Sequence, residues 1–263
     1  LAATSARCNM RMRRWDFVAA YLQGELLDDE VVYCYPPPGY KDCAGSGDIP
    51  DFREKLLRVE KPIYGMAQAG RRWQRSIFPW LLEQGFTACE SDPCVFIQRR
   101  TVTTPSGPRE DTVMLGCYVD DLFTLYSSDD KYSLYQSFIT ALQERWDVED
   151  EGEVSDLLNV EIARADGHVT LRQTGYIETL VRTYLPESAP ISSGRHSTPC
   201  REDLPKLVTR AMVDRVEPDP ASLARYQSIV GALNYSATHT RPDVAYSVGQ
   251  LSRAMAYPTP ELL

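Results

Sequence analysis

The chain has 263 residues, 43% of them hydrophobic, so it is long enough to bury a substantial core as one large domain or two small ones. Its net charge of −9 argues against a freestanding nucleic-acid-binding protein, because Lys and Arg neutralise phosphates in such proteins. No apolar stretch approaches the length of a membrane span and no signal peptide opens the chain, so we expect a soluble, intracellular protein.

The charge is unevenly distributed along the chain. Residues 1–100 carry a net charge of +1 and residues 101–263 a net charge of −10. Basic residues cluster in the first part, where each cluster taken singly favours an ordinary solvated face: Arg7, Arg11, Arg13 and Arg14; Arg53, Lys55, Arg58 and Lys61; Arg71, Arg72 and Arg75. The seven cysteines are odd in number and irregularly spaced, which predicts reduced thiols. A first residue that is Leu1 rather than Met indicates a piece of a longer polypeptide.

The first third of the chain predicts two strands, a loop and a long helix. Residues 15–21 are typical of a strand that runs into a turn, and residues 31–35 of a second strand ended by a triple-proline segment. The glycines and proline of residues 41–51 predict a loop. Apolar residues recur at helical spacing over residues 66–84, and Pro79 within them predicts a kink or break.

Two adjacent carboxylates, Asp120 and Asp121, interrupt an apolar run between residues 113 and 126. An unpaired buried carboxylate is costly, so the pair must lie at a solvated turn or have a partner, and the natural partner is a divalent cation. The run therefore predicts a hairpin that presents metal ligands at its tip. A plain Asp-Asp turn is the structural alternative, because Asp tolerates the positive φ of tight turns.

The rest of the chain predicts short strands and helices. In order, these are a helix at 133–145, an acidic turn at 147–153, strands at 157–162 and 168–171 joined by a turn at Asp166 and Gly167, a helix at 175–184, a linker at 186–220 and a helix at 221–236. Antiparallel hairpins covered by helices indicate an α+β fold.

The tetrapeptide YVDD at 118–121 resembles the Tyr-X-Asp-Asp signature of reverse transcriptases. Six further segments are similar, in order, to blocks of the copia class of long-terminal-repeat retrotransposons: WDFVAAYLQGEL at 15–26, IYGMAQAGRRW at 63–73, LRQTGYI at 171–177, STP at 197–199, YQSIVGALNY at 226–235 and TRPD at 240–243. A tetrapeptide alone is a weak signal, whereas ordered blocks over most of the chain are a strong one.

This resemblance implies a domain organisation. Residues 15–165 would be the palm, an antiparallel sheet with helices on one face, and residues 166–263 a thumb- or connection-like part. Residues 1–14 would be the remnant of truncated fingers, because only fifteen residues precede Asp16 and they do not resemble the basic fingers segment of the family. The chain also departs from the family pattern at three positions, with Val18 and Ala67 in place of common lysines and Asn159 in place of a glycine that could still adopt the left-handed turn.

The resemblance also implies an RNA-directed DNA polymerase. Asp16, Asp120 and Asp121 would bind two Mg²⁺ ions, with Mn²⁺ as a substitute, for two-metal phosphoryl transfer. The implied substrate-binding residues are Tyr21, as a steric gate against a 2′-hydroxyl, Gln68, Arg71 and Arg72, near the incoming nucleotide and template, and Tyr118, beside the primer terminus. Without the resemblance, Asp16 would be interpreted as a capping or turn residue, and Tyr21 and Tyr118 as core residues.

The implied substrates are deoxynucleoside triphosphates and an RNA or DNA template with a primer. The implied partners are the integrase, protease and ribonuclease H segments of the same polyprotein, in a cytoplasmic virus-like particle or in the nucleus, without a membrane. Two alternatives remain open. One is a truncated, inactive relic that keeps only the palm fold, and the other is a different two-metal phosphoryl-transfer or hydrolytic enzyme that uses the same carboxylates.

Overall fold

A computed structural model of the chain describes residues 1–26, 30–37, 56–165, 168–185 and 198–263. The described chain forms two compact units, residues 1–154 and residues 155–263. Several sequence predictions fall outside the described residues: the loop at 41–51, the turn at 166–167, the last proline and the glycine of the triple-proline segment, and the linker over 186–197.

The first unit is built on antiparallel strands. Its strands are β1 (Arg11–Phe17), β2 (Tyr33–Cys34), β3 (Leu57–Arg58), β4 (Thr87–Ala88), β5 (Val95–Thr104), β6 (Gly107–Tyr118), β7 (Asp121–Tyr126) and β8 (Val148–Glu153). Its helices are α1 (Ala2–Cys8), α2 (Ala20–Gln23), α3 (Ala69–Glu83) and α4 (Leu134–Arg145). Six strands form one sheet in the order β4-β5-β6-β7-β1-β8, and β2 pairs with β3 separately. The predicted α+β class is confirmed.

The core of the first unit contains residues of the sheet together with residues of α3 and α4. Trp15 and Phe17 are buried in this core, at 3% and 1% exposed. Because strand side chains alternate between faces, Asp16 projects from the opposite face of the sheet. The packing includes edge-to-face aromatic contacts, with the Phe17 and Trp73 ring centroids 4.9 Å apart and the Trp73 and Trp146 centroids 5.1 Å apart. The end of β1 is therefore anchored from the helical side.

Several predicted elements of the first unit have different limits in the structure. The strand predicted at 15–21 is β1, which begins at Arg11, and the strand predicted at 31–35 is reduced to β2. The helix predicted at 66–84 is α3, and the break predicted at Pro79 does not occur. Pro79 is exposed, while buried Trp73, Ile77 and Leu81 hold α3 in the core on both sides of it. The long β5–β6 hairpin has no counterpart in the predictions.

The acidic turn predicted at 147–153 is wrong, because these residues form the edge strand β8, which pairs with β1. Acidic residues disfavour strands, but here two arginines of β1 compensate their charge. Arg13 binds both carboxylate oxygens of Asp150 at 2.7 Å, and Arg14 Nε lies 2.9 Å from Glu151 Oε2.

The second unit combines a small sheet with helices. Its strands β9 (Asp156–Leu157), β10 (Val160–Ala165) and β11 (His168–Arg172) form a sheet in the order β11-β10-β9. Its helices are α5 (Thr174–Tyr184), α6 (Leu204–Asp214), α7 (Pro220–His239) and α8 (Ala245–Ser252). The strand predicted at 157–162 is interrupted by a turn with Leu158 and Asn159 at φ of 50° and 62°. Asn159 thus adopts the left-handed conformation expected of it.

Residues 204–214 contradict the linker predicted there, because they form α6. Leu204, Val208 and Ala211 are spaced by four and three residues and are buried, so one face of α6 contributes to the core of the second unit. Tyr226 and Val230 of α7 belong to the same core. Among the described residues, no helix is long and apolar enough to cross a membrane.

Candidate active site

The two predicted carboxylate segments meet at one end of the six-stranded sheet. Asp16 on β1 is the direct cross-strand partner of Asp121 on β7. The backbone N–H of Phe17 donates a 2.7 Å hydrogen bond to the carbonyl oxygen of Asp120. Because directly paired residues of antiparallel strands project from the same face, the register brings the side chains of Asp16 and Asp121 together.

The hairpin predicted around YVDD forms, with a different turn from the plain Asp-Asp alternative. Tyr118 pairs with Asp121, so the turn residues are Val119 and Asp120, and Asp121 is the first residue of β7. Val119 has a φ of 53°, an unfavourable conformation for a β-branched residue. Trp73 of α3 supports it, because its indole Nε1–H donates a 2.8 Å hydrogen bond to the Val119 carbonyl oxygen.

Asp120 is held by a tyrosine from the second sequence block. The Tyr64 hydroxyl lies 2.9 Å from each carboxylate oxygen of Asp120 and donates to this carboxylate. Burial and the hydrogen bond to Asp120 raise the pKa of Tyr64 to about 12, so it remains a donor at neutral pH. The Tyr64 ring also contacts the Tyr21 ring, with centroids 4.5 Å apart.

Asp121 is held by an arginine of β1. Arg14 Nε donates to Asp121 Oδ1 at 2.9 Å, and Arg14 Nη2 lies 2.8 Å from the same oxygen. Arg14 Nε is also 2.9 Å from Glu151 Oε2. The guanidinium therefore bridges a predicted metal ligand and a carboxylate of the edge strand β8.

Asp16 lies in an acidic environment. Its pKa is raised by burial and by the negative charges of Glu151, Asp121 and Asp120. Carboxylate oxygens are the ligands that Mg²⁺ prefers, so the donor set fits a hard divalent cation in type. Within the described part of the chain, however, no group of three or more His, Cys, Asp and Glu side chains is arranged to hold a metal ion. The carboxylates of Asp120 and Asp121 are instead bonded to Tyr64 and Arg14.

Tyr21 lies on the short helix α2, which follows β1 along the chain. Its side chain is partly buried and packs against the core of the first unit. Ala19, the N-cap residue of α2, has a φ of 49°, which turns the chain sharply between β1 and α2. A Cβ on Gly70 would lie 3.5 Å from the Tyr21 hydroxyl, an ordinary contact distance, so α3 passes close to this side chain.

The residues predicted to bind nucleotide and template separate into two environments. Gln68 Nε2 donates a 2.9 Å hydrogen bond to Glu30, and Arg72 Nε lies 2.7 Å from the same carboxylate. The Arg72 and Glu30 side chains are only 12% and 15% exposed. Arg72 Nε and Nη1 are buried without a well-directed hydrogen bond, so charge rather than hydrogen-bond geometry holds this pair. Arg71, by contrast, is exposed.

Three of the four arginines in the basic cluster ahead of Asp16 are paired within the first unit. Arg11 is paired with Asp129, Arg13 with Asp150 and Arg14 with Asp121 and Glu151. Charge-assisted hydrogen bonds of this kind occupy the donors that would otherwise bind phosphate. The fourth arginine, Arg7, is exposed.

The sequence predictions missed four residues of the site. Arg14 shares the face of Asp16, two residues away along a strand, which is a signal that period-two alternation provides. Trp73 and Tyr64 lie in the second block, and each combines an aromatic ring with a hydrogen-bond donor. Trp73 is buried, so its indole N–H needs a partner, whereas Tyr64 is about half exposed and gives no such signal. Glu30 has no local signal, because only the folded chain brings it to Gln68 and Arg72.

Carboxylates of two adjacent strands at one end of an antiparallel sheet fit the class of metal-dependent nucleotidyltransferases. Comparison with known proteins identifies the family. Residues 1–189 match the family described as reverse transcriptase (RNA-dependent DNA polymerase), and the chain belongs to this family.

The relatives are polyproteins of retrotransposons. The chain is 32% identical over 253 residues to the retrovirus-related Pol polyprotein from transposon RE1 of Arabidopsis thaliana, which covers 96% of this chain and 15% of the relative. It is 32% identical over 249 residues to that from transposon RE2 of the same plant, covering 94% of this chain and 15% of the relative. The chain is 27% identical over 266 residues to the retrovirus-related Pol polyprotein from transposon TNT 1-94 of Nicotiana tabacum, and this match covers 99% of this chain and 18% of the relative.

These matches confirm the resemblance to the copia class of retrotransposons. The chain spans between 15% and 18% of the length of these three relatives. No solved structure matches the chain.

Proposed function

We propose that this chain is the catalytic core of an RNA-directed DNA polymerase within a retrotransposon Pol polyprotein, which adds deoxynucleotides to a primer on an RNA or DNA template. The observation that supports this most directly is the cross-strand pairing of Asp16 with Asp121, next to Asp120 at the hairpin turn. Family membership supports the reaction class, and this geometry supports the site.

Asp16, Asp120 and Asp121 are the proposed ligands of two divalent ions, Mg²⁺ or Mn²⁺, which when bound supply activation of the primer 3′-hydroxyl and stabilisation of the leaving pyrophosphate. The strand register places these residues. The pairing of β1 with β7 places Asp16 opposite Asp121, and the N–H of Phe17 fixes the backbone of Asp120. The backbone of the site is thereby preorganised, which reduces the cost of binding charged groups there.

The proposed substrate contacts surround these carboxylates. Tyr118 is 54% exposed beside the turn, where it is accessible to a primer terminus. Tyr21 would lie under the sugar and exclude a 2′-hydroxyl. Exposed Arg71 would bind phosphate as a charge-assisted donor, while Gln68 and Arg72 would act from their contacts with Glu30.

We propose residues 15–165 as the palm, residues 166–263 as the thumb- or connection-like part and residues 1–14 as the remnant of the fingers. The six-stranded sheet with its helices supports the first assignment, since it carries every proposed metal ligand. The Pol polyprotein relatives support the association with integrase, protease and ribonuclease H segments, and with a virus-like particle in the cytoplasm or the nucleus.

An inactive relic is the second candidate, and one set of contacts favours it. Asp120, Asp121 and Arg72 are all engaged by protein groups, namely Tyr64, Arg14 and Glu30. A relic would keep these contacts permanently, whereas a working polymerase must exchange them for metal and substrate.

Primer extension distinguishes the two candidates, because a working polymerase core lengthens the primer and an inactive relic does not. The 263-residue chain is incubated with a primed RNA template, deoxynucleotides and Mg²⁺, and product length is measured. Asp120→Asn should abolish extension, while Glu144→Gln, which removes an exposed carboxylate of α4 in the same unit, should leave the rate unchanged. Extension by Asp120→Asn at the wild-type rate would refute the proposed site. Hydrolysis of the template without extension would indicate the hydrolytic alternative.

A further inference from the structure

Arg14 occupies a position on the catalytic face that the proposed reaction does not explain. Its guanidinium contacts Asp121 at 2.8 and 2.9 Å, and the Arg14 and Asp121 side chains are only 26% and 17% exposed. A pair that is shielded in this way is screened less by salt than a surface pair. A fixed positive charge therefore lies against a proposed metal ligand.

We propose that Arg14 is an internal counter-ion that Asp121 must exchange for the divalent cation, and that Glu151 retains Arg14 after the exchange. This inference rests on the proposed function, because it takes Asp121 as a metal ligand. Arg14 is a positioning residue in this scheme, since it acts on the metal through Asp121.

The fold supplies the second position for Arg14. The pairing of β1 with β8 matches Arg14 with Gly152 and Trp15 with Asp150, so Glu151 is the extra residue of a β-bulge. Glu151 Oε2 lies 2.9 Å from Arg14 Nε. Bulges redirect side chains, and this one directs a carboxylate to the guanidinium that Asp121 already contacts.

Charge makes the contact an obstacle to metal binding. An arginine side chain stays protonated in proteins, so its positive charge persists at every physiological pH and only movement can remove it. A cation beside a ligand carboxylate repels an incoming divalent cation. Without a cation, the carboxylates of Asp16, Asp120, Asp121 and Glu151 would repel one another, so Arg14 stabilises the metal-free protein.

Two predictions follow for metal affinity. Without Arg14, the divalent cation no longer competes for Asp121, so affinity rises. Without Glu151, Arg14 loses its second partner and is retained by Asp121, so affinity falls. Glu151 acts on metal affinity largely through Arg14. Its removal should therefore lower the affinity by a smaller factor in a chain that already lacks Arg14.

The test is a binding titration with Mn²⁺ alone, in which electron paramagnetic resonance measures the free ion. The chains are wild type, Arg14→Gln, Glu151→Gln, the double variant and Arg13→Gln. Arg13→Gln is the matched control, because it makes the same charge change one residue away, at a side chain bonded to Asp150. Circular dichroism and thermal melting check that each variant folds.

We expect Arg14→Gln to bind Mn²⁺ about tenfold more tightly than wild type, and Arg13→Gln to stay within about twofold of it, since its contact lies elsewhere. The melting temperature of metal-free Arg14→Gln should be lower than that of wild type, and saturating Mn²⁺ should narrow the difference. Glu151→Gln should bind several times more weakly, and by a smaller factor in the Arg14→Gln background.

Arg14→Gln affinity equal to or below that of Arg13→Gln would overturn the inference and indicate that Arg14 only orients Asp121. If Arg14→Gln does not fold, Glu151→Gln is compared with Glu153→Gln, a charge-matched change on the same strand. The inference would be overturned if Glu151→Gln lowered the Mn²⁺ affinity no more than Glu153→Gln does. Asp16→Asn and Asp121→Asn test the proposed function separately. Mn²⁺ binding that neither change weakens would refute the metal site, and no binding by wild type or Arg14→Gln would refute both proposals.

Discussion

Asp16 and Asp121 are direct neighbours across β1 and β7, although they lie far apart in the sequence. Burial raises the pKa of Asp16 most, and the negative charges of Glu151 and then Asp121 raise it further, because like charges repel. The site therefore costs folding free energy. Proteins accept such a cost where the charges bind a ligand, which is the physical argument for a functional rather than a structural role.

Asp16→Asn is expected to abolish primer extension and to leave the fold intact. The amide removes one ligand charge from the metal site and relieves the repulsion with Asp121. The melting temperature measured by circular dichroism should be equal to or higher than that of wild type at neutral pH. A clearly lower melting temperature would mean that Asp16 has a structural role.

The stability difference should depend on pH in a defined direction. Because the folded protein raises the pKa of Asp16 above its ordinary value of 3.8, the folded state binds this proton more tightly than the unfolded chain. The stability from the protonated form is complete below that value and is lost as pH rises through the raised pKa. Urea unfolding of wild type and Asp16→Asn should thus give similar free energies near pH 3.5, with the variant increasingly favoured towards pH 7. A constant difference across this range would contradict the repulsion.

Tyr21→Ala is expected to admit ribonucleotides far better than wild type. Tyr21 follows Asp16 by five residues and its ring lies against Tyr64, which itself bonds Asp120, so it is close to the proposed nucleotide site. The side chain is only partly buried, so the stability cost should be about 1–3 kcal/mol, below the roughly 3–5 kcal/mol of a fully buried aromatic side chain truncated to Ala.

The measurement for Tyr21 is the ratio of incorporation efficiencies for a ribonucleotide and its deoxy counterpart. Tyr21→Phe keeps the ring and serves as the control, with a ratio close to that of wild type. An unchanged ratio in a folded, active Tyr21→Ala would restrict Tyr21 to a packing role.

Arg71 and Arg72 should respond differently to alanine. Arg71 is exposed, so Arg71→Ala should raise the KM for deoxynucleotides severalfold without changing stability. Arg72→Ala removes a cation that lies 2.7 Å from the largely buried Glu30 carboxylate, which should destabilise the protein by about 3–5 kcal/mol. Urea unfolding and steady-state kinetics separate the two effects. Equal stability losses for both variants would contradict the difference in their environments.

The sequence predicts the hairpin because its signal is local. Residues 113–126 form two apolar, β-prone segments on either side of two carboxylates, and the structure has β6 and β7 there. It also predicts the helix at 133–145, since Ser133 is a strong N-cap and accepts a hydrogen bond from the Gln136 N–H. The left-handed conformation of Asn159 is also a local signal, because tolerance of positive φ is a property of Asn itself.

Other features depend on partners that the sequence does not reveal. The acidic segment that forms β8 is a poor strand by composition, and pairing with β1 together with the Arg13–Asp150 contact overrides this preference. The bridging of Asp121 and Glu151 by Arg14 depends on a bulge whose position follows from strand register. The linker prediction is wrong at α6 for a different reason. The helical spacing of Leu204, Val208 and Ala211 is visible in the sequence, but the Pro, Ser and charged residues of 186–220 favour a linker.

Binding of primed template by this chain should be weak and sensitive to salt. The net charge is −9, and three of the four arginines ahead of Asp16 are paired with carboxylates, including Arg11 with Asp129 and Arg13 with Asp150. With about two phosphates neutralised, affinity should fall about tenfold between 50 and 200 mM salt. Fluorescence anisotropy with a labelled primer–template measures this slope.

Asp150→Asn removes the partner of Arg13, so this change should strengthen binding and steepen the salt dependence. Asp203→Asn, in the second unit, makes the same charge change and serves as the control. Tight binding by wild type at physiological salt would show that the paired arginines exchange their carboxylates for phosphates.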